Sequence, residues 1–169
     1  GKDFEAFKMA MFAVCLYLCR LMAKDGEGAT HLMTCRVSGA ATEQSAEVIG
    51  KSVINSSLTK AAIFGADANW GRVLCAIGYS GAPADVHKVG GSFRRNTGVI
   101  EVWRDGAGVE FSEEKAKEIL LEKEIEIVVS LGNGVGEASA FGCDLTYDYV
   151  KINGETVLKE EPIWVPQPA

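Results

Sequence analysis

The amino-acid sequence predicts a mixed α+β fold, and three observations carry that reading. Apolar residues step by three and four through residues 3–24. Helical patterns fill the rest of the first half, whereas strand alternation and turn signals dominate beyond Pro83. After the opening helix the elements run β-α-α-α-β-β-α-β-β-β, an order that groups like elements and disfavours a doubly wound sheet.

In the opening helix Phe4, Phe7, Met11, Val14, Leu18, Leu21 and Met22 share one face. Phe12, Leu16 and Cys19 lie opposite, so the helix is expected to be sandwiched between layers. Asp3 is the expected N-cap, and Gly26 the expected left-handed residue at the far end. Residues 30–37 then alternate, placing Leu32, Thr34 and Arg36 against His31, Met33, Cys35 and Val37, a strand that Gly39 should break. Thr42 can cap a helix that turns Ala46, Ile49, Val53 and Ile54 inward. The segment "KAAIFG" follows. Asp67 or Asn69 then caps a further helix carrying Val73, Leu74 and Ile77.

The second half opens with "TGVIEVWRDGAGVEF", two strands joined at Asp105-Gly106, a hairpin signal. Ser112 caps a surface helix with Glu113 and Glu114 at its positive end and Ile119 and Leu120 inward. Period-two alternation puts Ile125, Ile127, Val129 and Leu131 on one strand face. "GNGVGE" reads as a hairpin turn, "EASAFGCDL" and "YDYVKI" as further strands, and "NGE" at 153–155 as another turn. The segment 159–169 is a Pro-rich tail outside the core.

Composition narrows the function. The chain has 169 residues, 47% of them apolar, enough for one sizeable core with a smaller lobe. A net charge of −6 without a Lys/Arg cluster argues against a nucleic-acid surface. Cysteines 15, 19, 35, 75 and 143 form no CxxC pair and read as small core residues in a reducing compartment. His31 and His87 are too scattered for a metal site. Met9–Met22 is apolar but carries Arg20, and it is shorter than the roughly 20 residues a bilayer span needs. The N-terminal "GKDFEAF" lacks the form of a secretion signal. The expectation is a soluble cytoplasmic chain without nucleic-acid or membrane partners.

Few segments suggest chemistry. The G-x-G-x-G of "GNGVGE" has strands on both sides, whereas a dinucleotide fingerprint needs a helix after it. "GADANWGR" fits either an elaborate helix N-terminus or an anion site beside Arg72. Neither histidine has a glycine-framed serine partner. The carboxylate pairs 113–114 and 160–161 read as solvated faces. Glu27, in "DGEGATHL", is different. It stands between glycines beyond a helix C-terminus, where the dipole favours cations. Its uncrowded carboxylate suits a ligand with a positive group.

"DGEGATHL", "KAAIFGADANWGRVLCAIGYSG" and "FGCDLTYDYVKING" together resemble the β chain of ornithine acetyltransferase, the bifunctional glutamate N-acetyltransferase of arginine biosynthesis. The resemblance covers about Phe4 to Asn153, with the motifs in the family's order. It implies a layered α/β/β/α sandwich with a smaller α/β lobe. Residues 1–158 would be the distal part of the β chain, with lobes at 1–82 and 83–158. It implies an enzyme whose precursor cleaves itself before a threonine, which then carries acetyl from N2-acetylornithine to glutamate. No cofactor or metal is implied. The positions matching the family's substrate contacts are Glu27 and Asn153.

Glu27 lies nearer Gly1 than the family's glutamate lies to the nucleophile. The catalytic threonine and the oxyanion hole are therefore expected outside these residues. The α chain and the proximal β-chain segment of the precursor are the expected partners, in a hetero-oligomer of processed chains. Thr30, internal and strand-borne, is not a substitute nucleophile. Leu158 stands where the family has a serine or threonine that touches substrate, and Thr156 is the nearest hydroxyl. Two other readings accompany this one: a non-catalytic module derived from the family, and a relative of the N-terminal-nucleophile aminopeptidases, which matches the reaction class but not the motifs.

Overall fold

The period-two alternation of residues 125–131 becomes the centre of one six-stranded sheet. A computed structural model describes residues 1–159, with side chains through Gly154. The elements are α1 (Lys2–Lys24), β1 (Leu32–Ala40), α2 (Glu43–Asn55), α3 (Ser57–Phe64), α4 (Trp70–Gly78), β2 (Gly90–Arg95), β3 (Gly98–Arg104), β4 (Ala107–Gly108), α5 (Glu113–Leu120), β5 (Glu124–Ser130), β6 (Gly136–Cys143) and α6 (Tyr147–Lys159). The strands stand in the order β4-β3-β2-β5-β1-β6. β1 runs parallel to β5 and antiparallel to β6. The α+β class therefore holds, with a single sheet among the described residues.

The two faces of this sheet differ because the sequence alternates. Met33, Cys35 and Val37 on β1 share one face with Ile125, Ile127 and Val129 on β5 and Phe93 on β2. Against it pack Ile49 and Val53 of α2, Val73 and Ile77 of α4, and Ile119 and Leu120 of α5, all buried. Burying an aliphatic side chain contributes roughly 1.5–3 kcal/mol, so this closed layer is the main source of stability. Thr42, Ser56, Asn69 and Ser112 cap α2 to α5, each accepting from a backbone N–H at the helix start. The Asp105-Gly106 turn is as expected, both residues having positive φ, 50° and 75°.

The opposite face is polar. Arg36 and Arg94 both reach Glu126, at 2.8 Å each. Arg95 bridges Glu122 and Glu124, at 3.2 and 3.3 Å. Helix α1 lies on this side, where Arg20 and Lys24 pair with Glu124 and the Arg20 guanidinium sits 5.5 Å above the Phe141 ring.

Several expectations fail for identifiable reasons. None of the residues of α1 is buried: Phe4, Phe7, Phe12 and Met22 are all more than three-fifths exposed, so the described chain does not sandwich this helix. By length and composition alone α1 is long and apolar enough to cross a membrane, longer than Met9–Met22 suggested. Its last turns are tied to the sheet through Glu124. Its N-cap is Gly1, with Asp3 in the first turn. Gly26 is not left-handed; Gly28 is, at φ +65°. Gly26 is needed because a Cβ there would overlap Cys143 Sγ. Gly39 bends β1 without ending it, at the register shift between Val37 and Ala40.

The turn "GNGVGE" does join strands, but it is no hairpin, since β1 lies between β5 and β6. The chain crosses the end of β1, and Gly134 and Gly136 lie so close to the Ala40 and Thr42 carbonyls that a Cβ would not fit. Residues 90–95, with two glycines, form a strand that the pattern missed. Segments "YDYVKI" and "NGE" are helical, both within α6. Their tyrosines and β-branched residues favour strand, but a threonine cap upstream overrides that preference. Of the cysteines only Cys35 is buried, its thiol pushed up to about 12 by burial; Cys15, Cys19 and Cys75 are exposed. Residues 160–169, most of the Pro-rich tail, lie outside the described residues, as do the side chains of Thr156 and Leu158.

Candidate functional site

Two linkers meet at one end of the sheet. Residues 25–31 carry the chain from α1 into β1, and residues 144–146 carry it from β6 into α6. The first linker folds back tightly, the Ala29 N–H donating to the Gly26 carbonyl at 2.9 Å. That turn projects Glu27 into solvent. Gly28 makes the approach possible. Its left-handed φ suits glycine, and a Cβ would stand only 2.8 Å from the Tyr149 backbone nitrogen.

Asn153 lies on the second turn of α6, over the same spot. Its Nδ2 donates to Glu27 Oε2 at 2.9 Å and to the Tyr149 carbonyl at 2.9 Å. Glu27 and Asn153, separated by 126 positions, are thus in direct contact. The carboxylate that looked misplaced beyond a helix C-terminus faces an amide donor rather than a fixed cation. Both side chains remain exposed.

Asp144 anchors the junction. Its Oδ1 accepts the backbone N–H groups of Thr30 at 2.8 Å and His31 at 3.0 Å. Its Oδ2 accepts the Thr30 hydroxyl at 2.5 Å and lies 2.8 Å from His31 Nδ1. An ionised carboxylate only accepts, so Nδ1 of His31 carries the proton. The Asp144 side chain is fully buried. Burial alone raises its carboxyl, but the His31 and Thr30 side-chain and backbone hydrogen bonds outweigh that and hold it at about 2. Thr146, buried nearby, donates its hydroxyl to the Gly28 carbonyl at 2.7 Å and accepts the Tyr149 N–H at 3.1 Å. It therefore holds the Glu27 turn and caps α6 at once.

Thr30, His31 and Asp144 superficially resemble a hydrolytic triad. The order is wrong, because the threonine hydroxyl donates straight to the carboxylate instead of to the imidazole's far nitrogen. Thr30, just ahead of β1 rather than within it, is spoken for structurally. The "GADANWGR" segment is an elaborate helix start: Asn69 accepts the Arg72 N–H, Asp67 accepts the Asn69 amide, and the Arg72 guanidinium donates to the Leu58 carbonyl. Among the described residues no three His, Cys, Asp or Glu side chains cluster as a metal ion would require. Sequence reasoning singled out Glu27 and Asn153, which the fold brings into contact, but passed over Asp144 and Thr146. A T-x-x cap signature ahead of α6 was the available hint.

These features define a class: an α+β domain whose two chain linkers bring an exposed carboxylate and an amide together above a buried aspartate. Comparison with known proteins gives the family. A model described as the ArgJ family matches residues 1–156, and the chain belongs to that family. It is 52% identical over 154 residues to the arginine biosynthesis bifunctional protein ArgJ 1 of Clostridium acetobutylicum, covering 91% of this chain and 38% of the relative. It is 44% identical over 149 residues to a glutamate N-acetyltransferase of Methanopyrus kandleri, covering 88% and 38%. A crystal structure of the arginine biosynthesis bifunctional protein from Bacillus halodurans superposes with a TM-score of 0.85 at 41% identity, covering 92% of this chain and 71% of that one. The chain thus spans well under half the length of these curated relatives.

Proposed function

We propose that these residues are the distal β-chain part of an acetyltransferase that moves acetyl from N2-acetylornithine to glutamate. In this reading a threonine outside the described chain attacks the acetyl carbonyl, a base takes its proton, and ornithine leaves as the amine. Glutamate's amine then attacks the acyl-threonine and regenerates the hydroxyl. No cofactor enters either half of the cycle.

The observation that carries the reading is the Glu27–Asn153 contact, made within a chain of this family. N2-acetylornithine has a free side-chain ammonium. A carboxylate oriented by an amide and left open to solvent suits such a cation. The remainder of the precursor, the α chain and the proximal β segment, would supply the nucleophile and the oxyanion hole. It would also cover the exposed apolar residues of α1. That assembly is a hetero-oligomer of processed chains working in the cytoplasm.

The test is an acetyl-transfer assay on the complete protein, with N-terminal sequencing of its chains. A chain starting at threonine, and acetylglutamate formed from N2-acetylornithine, are expected. A complete protein that yields neither would replace this reading with a non-catalytic module.

A further inference from the structure

We propose that Asp144 and Thr146 are positioning residues for substrate binding, the two ends of a clamp that sets the distance between Glu27 and Asn153. The proposal rests on the reading of Glu27 and Asn153 as the substrate contact. The contact itself is made by two exposed side chains from segments 126 positions apart, and exposed pairs hold their geometry poorly unless their backbones are fixed. Here both backbones are fixed from one linker.

Asp144 takes four donors from Thr30 and His31, just downstream of Glu27. The Asp144 N–H returns to the His31 carbonyl at 3.3 Å, so the grip is reciprocal. Two residues on, the single Thr146 hydroxyl donates to the carbonyl of Gly28, the neighbour of Glu27. The same oxygen caps the helix that carries Asn153. The Thr146 hydroxyl is therefore bonded to the backbone behind both halves of the contact. Leu145 adds a third tether through its N–H to the Lys60 carbonyl at 3.4 Å, tying the linker to α3.

The experiment measures steady-state kinetics of acetyl transfer by the complete enzyme carrying Thr146→Val, Thr146→Ser, Glu27→Gln and the Glu27→Gln/Thr146→Val double variant. The expected result is a rise in KM for N2-acetylornithine of about fivefold for Thr146→Val, which removes both hydrogen bonds of the hydroxyl. Self-cleavage and kcat should stay within about twofold, because the nucleophile lies elsewhere. Thr146→Ser should restore KM by restoring the hydroxyl. In the double variant KM should equal that of Glu27→Gln alone, since a clamp acting through Glu27 has nothing left to position.

Other outcomes overturn the proposal in distinguishable ways. If Glu27→Gln raises KM and Thr146→Val does not, the substrate contact stands and the clamp falls. If Thr146→Val raises KM equally with or without Glu27, the hydroxyl serves general stability and not positioning. If Glu27→Gln leaves KM unchanged, the underlying reading fails and takes the clamp with it. Asp144→Asn is a second probe where it folds: the amide would set a donor against the Thr30 and His31 donors. It should reproduce the KM rise of Thr146→Val, and an unchanged KM would remove Asp144 from the clamp.

Discussion

Asp144 and Glu27 are carboxylates at the same chain junction, yet they are built for opposite purposes. Asp144 is buried, saturated by four donors and held at about 2. Glu27 is exposed and meets a single amide. A buried, fully satisfied carboxylate is a structural anchor, since its charge is already spent on the protein's own donors. An exposed carboxylate on a rigid turn keeps its charge for something else. In the proposed reading, the difference teaches how the fold separates holding the site from being the site. The two roles need different environments only a few residues apart.

The largest expected effect tests the holding side. Asp144→Asn in the complete protein should cost about 3 kcal/mol by chemical denaturation, because buried donors lose their acceptor. Glu27→Gln should change stability by less than about 0.5 kcal/mol, as surface substitutions do. Equal losses would erase the distinction between the two carboxylates.

Acid sharpens it further. The Asp144 carboxyl is lowered in the folded state from an ordinary value of 3.8 to about 2. Its contribution is therefore fully present above about pH 4 and is lost as the pH falls toward 2, a difference of roughly 2 kcal/mol. Denaturation midpoints of the wild type should fall steeply across that window, and those of Asp144→Asn should lose that part of the slope. Parallel curves would mean that the carboxylate is not what the clamp depends on.

Smaller still, Asn153→Ala should raise KM for N2-acetylornithine about fivefold, close to 1 kcal/mol, by releasing Glu27 from its amide donor. A KM unmoved by this change would make the Glu27–Asn153 contact incidental. The least effect belongs to the sheet's polar face: Arg36→Ala, which removes one half-exposed arm of the Glu126 ladder, should cost no more than about 0.5 kcal/mol in melting experiments. A loss several times larger would show that this face is buried in the working protein.

Much of this was legible in the sequence, for reasons that are local. Thr42, Asn69 and Ser112 announce helix starts because a cap needs only the next three residues. The β5 alternation announces a half-buried strand in the same way. Glu27 could be singled out because its charge disagrees with the adjacent helix dipole. What escaped depends on distance along the chain. Asp144 meets Thr30 across 114 positions, and nothing in "CDLT" names its partner. The topology of "GNGVGE" was misjudged because a glycine-rich strand connection looks the same whether or not another strand lies between its ends. Helix α6 was read as strand because Tyr147, Tyr149, Val150 and Ile152 favour strand, while Thr146 decides the matter by capping. The exposure of α1 has another origin: its two apolar faces are legible, but nothing among the described residues covers them.

The most direct test of the account is calorimetric titration of the complete protein with ornithine, which in the proposed reading would occupy the site without donating acetyl. Wild type and Glu27→Gln would be compared at neutral pH. The account predicts an affinity about tenfold weaker for Glu27→Gln, about 1.4 kcal/mol for the lost ammonium–carboxylate pairing, with an unchanged melting temperature. Equal affinities would contradict it, because Glu27 would then be one more solvated carboxylate beside the buried one.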